Sequence, residues 1–591
     1  MLKNIRKGFT LVELLAVIVI LSVIALITTP LILNVIEEVK EKSSIESVNG
    51  ILDAAEKYEI TSMLEGETTK RFEFPEDTKL QYKGTKPEKG TLIIDEEGNT
   101  SITVLINGYC VRKRFNETTP SIIEEENCSI EDSELINAER YKEEILNGAD
   151  PEIKNELIPV TIDSNGIVTY ADIRKEWYNY KNKIWANAVI LKAGKSYNVG
   201  EVIPERDIKQ YYVWIPRYKY QLWNVNGENK YPNGEKESAI NIVFESKNTT
   251  VSNGTQNGEW LTHPAFTSFN TNGIWVGKYE TSYDEETYTD SSKFLTTNPN
   301  YTSATNASNI IIKPNIRSLT YKTVSEFYTL GREVNESLNS HMMKNSEWGA
   351  VVYLTYSLYG KCTETGCEEV YLNNVNTGYL NSTAKFSGQW QFSGSITGCS
   401  ASTTSSTINS NKSACESGYA YNEVNNKAST TGNISGIYDM SGGNWEYVMG
   451  VIEDSNGNPI SGQNSSYNSG FNGIYGNESG TKTNGVDFPV DTRYYDIYKA
   501  NSTTLGDDTW YKYDNGHLGD GTKEVAVSKS NSSSGDRGLW YQDHAGFPPM
   551  TSPWFGRGGD FRNGTGAGVL NFNRGSGRAY SNNSFRVVLA Y

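Results

Sequence analysis

Apolar and polar positions change pattern several times along the chain. From Leu14 to Leu33 no residue carries a charge, a run of about 20 residues of the length that spans a bilayer, so the pattern predicts one transmembrane helix. Beyond it Val35, Ile36, Val39, Ile45, Val48, Ile51, Leu52, Ala55 and Ile60 recur at spacings of three and four, which predicts that the helix continues as an amphipathic one. Glu37, Glu38, Lys40, Glu41 and Lys42 read as its solvated face. From Arg71 to Cys128 the period shortens to two in Phe72-Glu73-Phe74, Thr91-Leu92-Ile93-Ile94 and Ile102-Thr103-Val104-Leu105-Ile106, with Glu97-Gly98-Asn99 as a turn. This predicts a small antiparallel sheet packed on the helix. Residues 131–209 begin with a charged helix around Leu135 to Leu146 and pass into the aromatic runs Trp177-Tyr178-Asn179-Tyr180 and Trp185-Ala186-Asn187-Ala188-Val189, too aromatic for a flexible linker. They read as a stalk or as the opening strands of the next domain. From 210 to 591 helix signals are sparse, and Gly, Asn and Ser interrupt short apolar runs, which predicts an irregular domain with long loops. The fold class expected is α+β.

Composition narrows the function. A chain of 591 residues exceeds what one core organises, so several domains are expected. With 54 Lys plus Arg against 71 Asp plus Glu the net charge is −17, which repels phosphate backbones and excludes a nucleic-acid partner. A content of 12% aromatic residues, with 38 Tyr and 12 Trp, excludes a disordered chain. Surfaces rich in Tyr, Ser, Gly and Asn suit recognition, because Tyr offers a large amphipathic contact at low rotamer cost.

The amino terminus carries a specific motif. Lys3, Arg6 and Lys7 precede the apolar run without an acid, which keeps that end cytoplasmic and sends the rest outward. Thr28-Thr29-Pro30 makes a poor secretory cleavage site, and Pro30 should kink or locally melt the helix. Glu13 stands at the start of the apolar span, where a carboxylate is costly unless it is paired or near enough to the interface to be solvated. Lys7-Gly8-Phe9-Thr10-Leu11-Val12-Glu13-Leu14-Leu15 resembles the processing site of type IV prepilins and pseudopilins. The resemblance implies a leader of residues 1–8 removed after Gly8 by prepilin peptidase, N-methylation at Phe9, a pilin helix over 9–65 and a β head over 66–130. It also implies that Glu13 pairs with the charged amino terminus of a neighbouring pilin, which offsets two otherwise unpaired charges in hydrocarbon and sets subunit register.

The six cysteines allow 15 pairings, and sequence proximity favours Cys110 with Cys128, Cys362 with Cys367, and Cys399 with Cys415. Disulfides place the folded part in an oxidising compartment. Zinc at Cys362 and Cys367 lacks partners, since His263, His341, His517 and His544 stand at no ligand spacing to them.

Four islands punctuate 210–591. They are Gly273-Ile274-Trp275-Val276-Gly277-Lys278-Tyr279-Glu280-Thr281, Met343 to Ala350, Tyr438-Asp439-Met440-Ser441-Gly442-Gly443-Asn444-Trp445-Glu446-Tyr447, and a terminal pair, Arg557-Gly558-Gly559 and Ser584 to Leu589. Their order resembles the formylglycine-generating-enzyme or sulfatase-modifying-factor type of C-type lectin-like fold. Copper-dependent members need two late thiolates, because soft sulfur holds Cu(I). Here Cys415 is the last cysteine, and Val587 stands where active relatives often carry one. No hydrolase nucleophile stands in an elbow or beside a His. Neither copper nor catalysis is therefore expected, and binding remains. The resemblance also implies a structural Ca²⁺ held by the carboxylates of Asp439 and Glu446 and the carbonyls of Gly442 and Asn444, against a plain buried turn with Trp445 in the core.

The last segment, Trp554 to Tyr591, interleaves apolar and glycine positions with Asp560, Phe561, Asn563, Asn571, Asn573, Arg574, Ser576, Arg578, Tyr580, Asn582 and Asn583. That interleaving resembles the variable repeat of proteins diversified by diversity-generating retroelements, and these residues are the expected ligand-binding surface; an ordinary polar ending is the alternative. The functional expectation is a minor or tip pilin, membrane-held before assembly and then on a pilus or the cell surface, displaying a non-enzymatic lectin-type domain to a protein or glycan ligand. Bulk favours a terminal or low-copy position over a close-packed repeat. Two alternatives stand beside it, a pseudopilin of a secretion or DNA-uptake machine and a membrane-tethered formylglycine-generating-type enzyme.

Overall fold

In the computed structural model, residues 10–65, 71–128, 150–284, 306–373, 395–398, 427–472, 486–499, 513–527 and 538–591 are described, apart from short gaps inside these ranges. Gly8, Phe9, the helix expected near 135–146, Cys399 and Cys415 lie outside them. The chain divides into a proximal unit, residues 1–145, and a distal unit, residues 146–591.

The proximal unit has one helix, α1 (Leu11–Glu65), and five strands, β1 (Arg71–Phe74), β2 (Lys89–Ile94), β3 (Thr100–Ile106), β4 (Tyr109–Lys113) and β5 (Ser121–Ile123). The strands form an antiparallel sheet in sequence order, the arrangement that short connections between neighbours produce. The three- and four-residue spacing on α1 and the alternation on the strands meet in one core of Val48, Ile51, Ala55, Phe72, Leu92, Ile102, Val104 and Val111. Tyr58 meets Phe72 edge-on at 5.1 Å. Cys110 on β4 is bonded to Cys128.

The α+β build is present, but the expected transmembrane helix is not: among the described residues no helix is long and apolar enough to cross a membrane. From Ile36 onward the helix carries Glu37, Glu38, Lys40, Glu41 and Lys42, exposed as their spacing required. The helix also continues through Pro30 without a break in its assignment.

The distal unit is organised by two sheets. The larger has seven antiparallel strands in the order Ser340–Met342, Val587–Leu589, Gly273–Gly277, Ile208–Pro216, Asn187–Leu191, Ile158–Ile162 and Val168–Tyr170. The aromatic segment before residue 210 thus supplies strands to this sheet, and the end of the chain closes it beside Gly273–Gly277. Trp214 and Trp275, cross-strand partners in the register, lie 5.2 Å apart between ring centroids.

The second sheet runs Asp496–Tyr498, Trp445–Ile452, Trp554–Arg557 and Phe572–Gly575, with Asn583–Phe585 also pairing in parallel with Trp445–Ile452. A helix over Asn345–Thr355 is buried at every position, Trp348 included. A shorter helix, Val324–Glu333, starts with a capping box in which Thr323 and Glu326 satisfy each other's backbone N–H groups. Cys362 and Cys367 are bonded across a two-residue pairing.

Candidate functional site

The strand Trp445–Ile452 sorts its first residues by alternation. Trp445 and Tyr447 line a surface cavity, while Glu446 between them is buried against Arg586. Each face carries one of the sites expected from sequence.

The cavity has a volume of about 300 Å³ and is lined by Trp445, Tyr447, Ser552, Gly556, Asn573, Arg574, Gly575, Ser576, Tyr580, Asn582 and Asn583. Its wall is the edge strand Phe572–Gly575, in which Phe572 is buried and the next three residues are partly exposed. Gly575 is required here, since a Cβ would stand 2.5 Å from Cε1 of Tyr447. The loop over 576–583 is fixed by backbone bonds from Tyr321 N to Tyr580 O, 2.9 Å, Val324 N to Gly577 O, 3.1 Å, and Trp445 N to Asn582 O, 2.9 Å. Arg578 and Tyr580 stay at the surface, Tyr580 being 41% exposed, and the Arg578 guanidinium stands 5.9 Å from the Tyr580 ring centroid. Asn582 donates to Asp560 Oδ2 at 2.8 Å, which turns its amide into a fixed part of the wall. An aromatic floor, amides and a guanidinium on a rigid frame suit a polar ligand with a flat face.

The expected ligand-binding residues therefore separate. Asn573, Arg574, Ser576, Tyr580, Asn582 and Asn583 come together at the cavity, and Arg578 and Asn563 are exposed beside or beyond it. Asp560, Phe561 and Asn571 are buried and do not line it, while Ser576 and Asn583 line it although they too are buried. Asn571 Nδ2 donates to the Gly566 carbonyl, so it fixes a turn rather than facing a ligand. Period-two alternation alone did not identify these inward positions, because tight turns between 558 and 571 interrupt it.

Under the cavity strand lies a cluster of buried charges. Arg586 donates from Nε to Glu446 Oε2 at 3.0 Å and from Nη2 to Glu446 Oε1, and it also binds the carbonyls of Gly277, 2.8 Å, and Tyr438, 3.0 Å. Asp439 accepts from Gly398 N at 2.8 and 2.9 Å on its two oxygens and from Asn373 Nδ2 at 2.9 Å. Asn444 donates from its backbone N, 2.7 Å, and its Nδ2, 3.0 Å, to Glu280, and its Nδ2 also reaches Ser395 Oγ at 2.9 Å. Gly443, at φ +70°, lets the Glu280 carboxyl close on the backbone where a Cβ would collide with it.

Burial pushes the Glu446 carboxyl up to about 7, although Arg586 draws it down. Burial raises Asp439 as well, and Glu280 is raised by burial and then by its two carboxyl neighbours. The residues expected to hold Ca²⁺ do not fit that role. Both oxygens of Asp439 and of Glu446 already face protein donors, and a cation would have to take the place of the Arg586 guanidinium. Among the described residues no group of three or more His, Cys, Asp or Glu side chains could hold a metal ion.

Glu280 and Arg586 were not singled out from the sequence. The available signal was a charge inside an apolar strand context, Tyr279-Glu280-Thr281 and Phe585-Arg586-Val587, since a charge that must be buried has to meet its opposite. Two other buried charged groups, Lys278 and Glu347, also have partners. Lys278 Nζ donates to Asn187 Oδ1 at 2.8 Å and to the carbonyls of Ile434 and Gly436. His341 Nε2 meets Glu347 Oε1 at 2.9 Å.

At the amino end, Thr10 donates from N and Oγ1 to Glu13 Oε2 at 2.9 and 2.8 Å, and Glu13 N donates back to Thr10 Oγ1. Glu13 thus caps the first turn of α1. Residues 3–29 match the family described as the prokaryotic N-terminal methylation motif. This is the motif of type IV pilin-like and pseudopilin proteins, and it implies processing by prepilin peptidase and assembly with other pilins. No curated protein matches the chain.

Proposed function

We propose that the protein is a minor or tip type IV pilin-like surface protein whose distal unit presents a non-enzymatic, adhesin-like binding surface at the Trp445/Asn573/Tyr580 cavity. The observation that carries the reading is the convergence of Asn573, Arg574, Ser576, Tyr580, Asn582 and Asn583 on one cavity of about 300 Å³, in a chain whose residues 3–29 carry the methylation motif. The precursor is membrane-anchored and the assembled protein stands on a pilus or the cell surface. The distal unit is read as a C-type-lectin-like domain of the formylglycine-generating-enzyme type. Support comes from the pairing of the Gly273 and terminal islands in one sheet and of the Trp445 and Asn583 segments in the other. The retroelement-type reading gains support from the exposed side chains of Arg578 and Tyr580, which can change without disturbing the core.

Replacing Gly8 by Leu in the native host tests the pilin half. The variant should accumulate uncleaved, be absent from filaments and remove the adhesion that depends on this chain; normal maturation of the variant would contradict the proposal.

A further inference from the structure

The disulfide of the distal unit, Cys362 to Cys367, is placed differently from that of the proximal unit, Cys110 to Cys128. Cys110 and Cys128 are both buried, whereas only Cys362 is buried in the distal pair and Cys367 is partly exposed. The two face each other in a hairpin of two short strands, Cys362–Thr363 and Gly366–Cys367, and the tip over Thr363 to Thr365 is exposed. Their sequence separation is 5, against 18 for the proximal pair. A shorter closed loop restricts the unfolded chain less, so this bond contributes less to stability than the proximal one.

The hairpin is also anchored without its sulfurs. Cys362 N donates to the Ser357 carbonyl at 3.3 Å, Cys367 N to the Glu237 carbonyl at 3.2 Å and Glu368 N to the Lys361 carbonyl at 3.0 Å. Lys183 Nζ donates to the Cys362 carbonyl at 2.8 Å. Both strands thus stay in place when the S–S bond opens. Two ammonium groups flank the pair: Lys183 on the Cys362 side, and Lys236, whose Nζ lies 3.7 Å from where a Cβ on Gly366 would stand, on the Cys367 side. Lys361 is countered by Glu368 at 3.4 Å. Neighbouring cations favour the thiolate, which is both the attacking and the leaving form in disulfide exchange.

We infer that the Cys362–Cys367 disulfide is a thiol-exchange site for small thiols, with Cys367 as the sulfur attacked. The incoming thiolate forms a new S–S bond to Cys367 Sγ, the bond to Cys362 breaks, and its electron pair leaves on Cys362 Sγ as a thiolate near Lys183. One disulfide is exchanged for another, so no further oxidant or reductant enters. The product is a mixed disulfide on Cys367. Attack by the Cys362 thiolate reverses the step and releases the small thiol, and attack by a second small thiol carries it on to the dithiol. A partly exposed sulfur on an anchored hairpin admits a small thiol and excludes one held on the surface of a folded protein. The site is separate from the proposed adhesive surface and does not rest on it.

The test is exposure of the purified, folded full chain to glutathione, with samples quenched in N-ethylmaleimide and mapped by peptide mass spectrometry. Cys362 and Cys367 should become labelled at least tenfold faster than Cys110 and Cys128, while the distal unit keeps its unfolding midpoint. Which sulfur is attacked is read from the single variants Cys362→Ser and Cys367→Ser, each treated with glutathione disulfide. The thiol left at Cys367 in the first should take up glutathione at least tenfold faster than the thiol left at Cys362 in the second. In the otherwise native chain, Lys183→Gln/Lys236→Gln should slow opening several-fold. Opening no faster than that of the proximal pair, faster uptake at Cys362 than at Cys367, unfolding of the distal unit on reduction, or an unchanged rate in the lysine variant would overturn the inference.

Discussion

Two polar regions of the distal unit share one strand and have opposite roles. Glu446 faces inward to Arg586, in a cluster where Asn444 donates to Glu280 and Asn373 donates to Asp439, whereas its neighbours Trp445 and Tyr447 line the cavity with Asn573, Arg574 and Tyr580. Residue types are much alike in the two regions, with carboxylates or amides beside an arginine in each. What separates them is exposure and the source of the hydrogen bonds. Inside, protein groups meet the polar atoms and the arrangement holds the sheets together. At the cavity, partly exposed polar side chains on a pinned loop remain in reach of a ligand. A polar cluster is thus evidence for binding only after its internal partners have been accounted for.

The comparison predicts different costs for substitutions in the two regions. Arg586→Met should have the largest effect, because it leaves Glu446 buried without its guanidinium, and breaking such a pair costs about 3–5 kcal/mol. Urea unfolding of the distal transition measures this, and a loss under ~1 kcal/mol would show that the cluster does not bear on stability.

The pH dependence comes next. Glu446 titrates near 7 in the folded protein, above its ordinary carboxyl value, so the folded state holds the proton more tightly than the unfolded state. Its contribution is complete below about 4.3 and is lost as pH rises through about 7. Burial-raised Asp439 acts in the same direction. The distal unit should therefore lose stability from these groups between about pH 4 and 7, at up to ~1.4 kcal/mol per pH unit for each. Glu446→Gln should flatten that slope, and an unchanged slope in the variant would remove Glu446 from the account.

Asn571→Ala should cost about 1–3 kcal/mol through the buried bond to Gly566 that it removes. Tyr580→Ala should leave stability within about 0.5 kcal/mol, as surface changes do. Similar losses for these two variants would erase the distinction between frame and rim.

The expectations from sequence met the structure unevenly. The alternation of Phe72, Leu92, Ile102 and Val104 and the three- and four-residue spacing on α1 were enough for the proximal unit, because neighbours in sequence are neighbours in its sheet. The uncharged run from Leu14 predicted a membrane span that no described helix provides. In the distal unit, Asn187–Leu191 and Val587–Leu589 serve one sheet from opposite ends of the unit, a pairing that no local pattern encodes. The cavity was largely legible, since Asn573, Arg574, Tyr580 and Asn582 lie close in sequence on one strand and loop. Its floor, Trp445 and Tyr447, comes from a strand more than a hundred residues earlier and had been read as core or as part of a metal turn.

The most direct measurement is adhesion of cells displaying the full chain with Arg574 and Tyr580 replaced together by alanine, beside cells displaying Asn563→Ala. The account predicts that the double variant is displayed at the wild-type level, unfolds at an unchanged midpoint and loses adhesion at least tenfold, while Asn563→Ala adheres normally. Full adhesion by the folded double variant would place the binding surface elsewhere on the molecule.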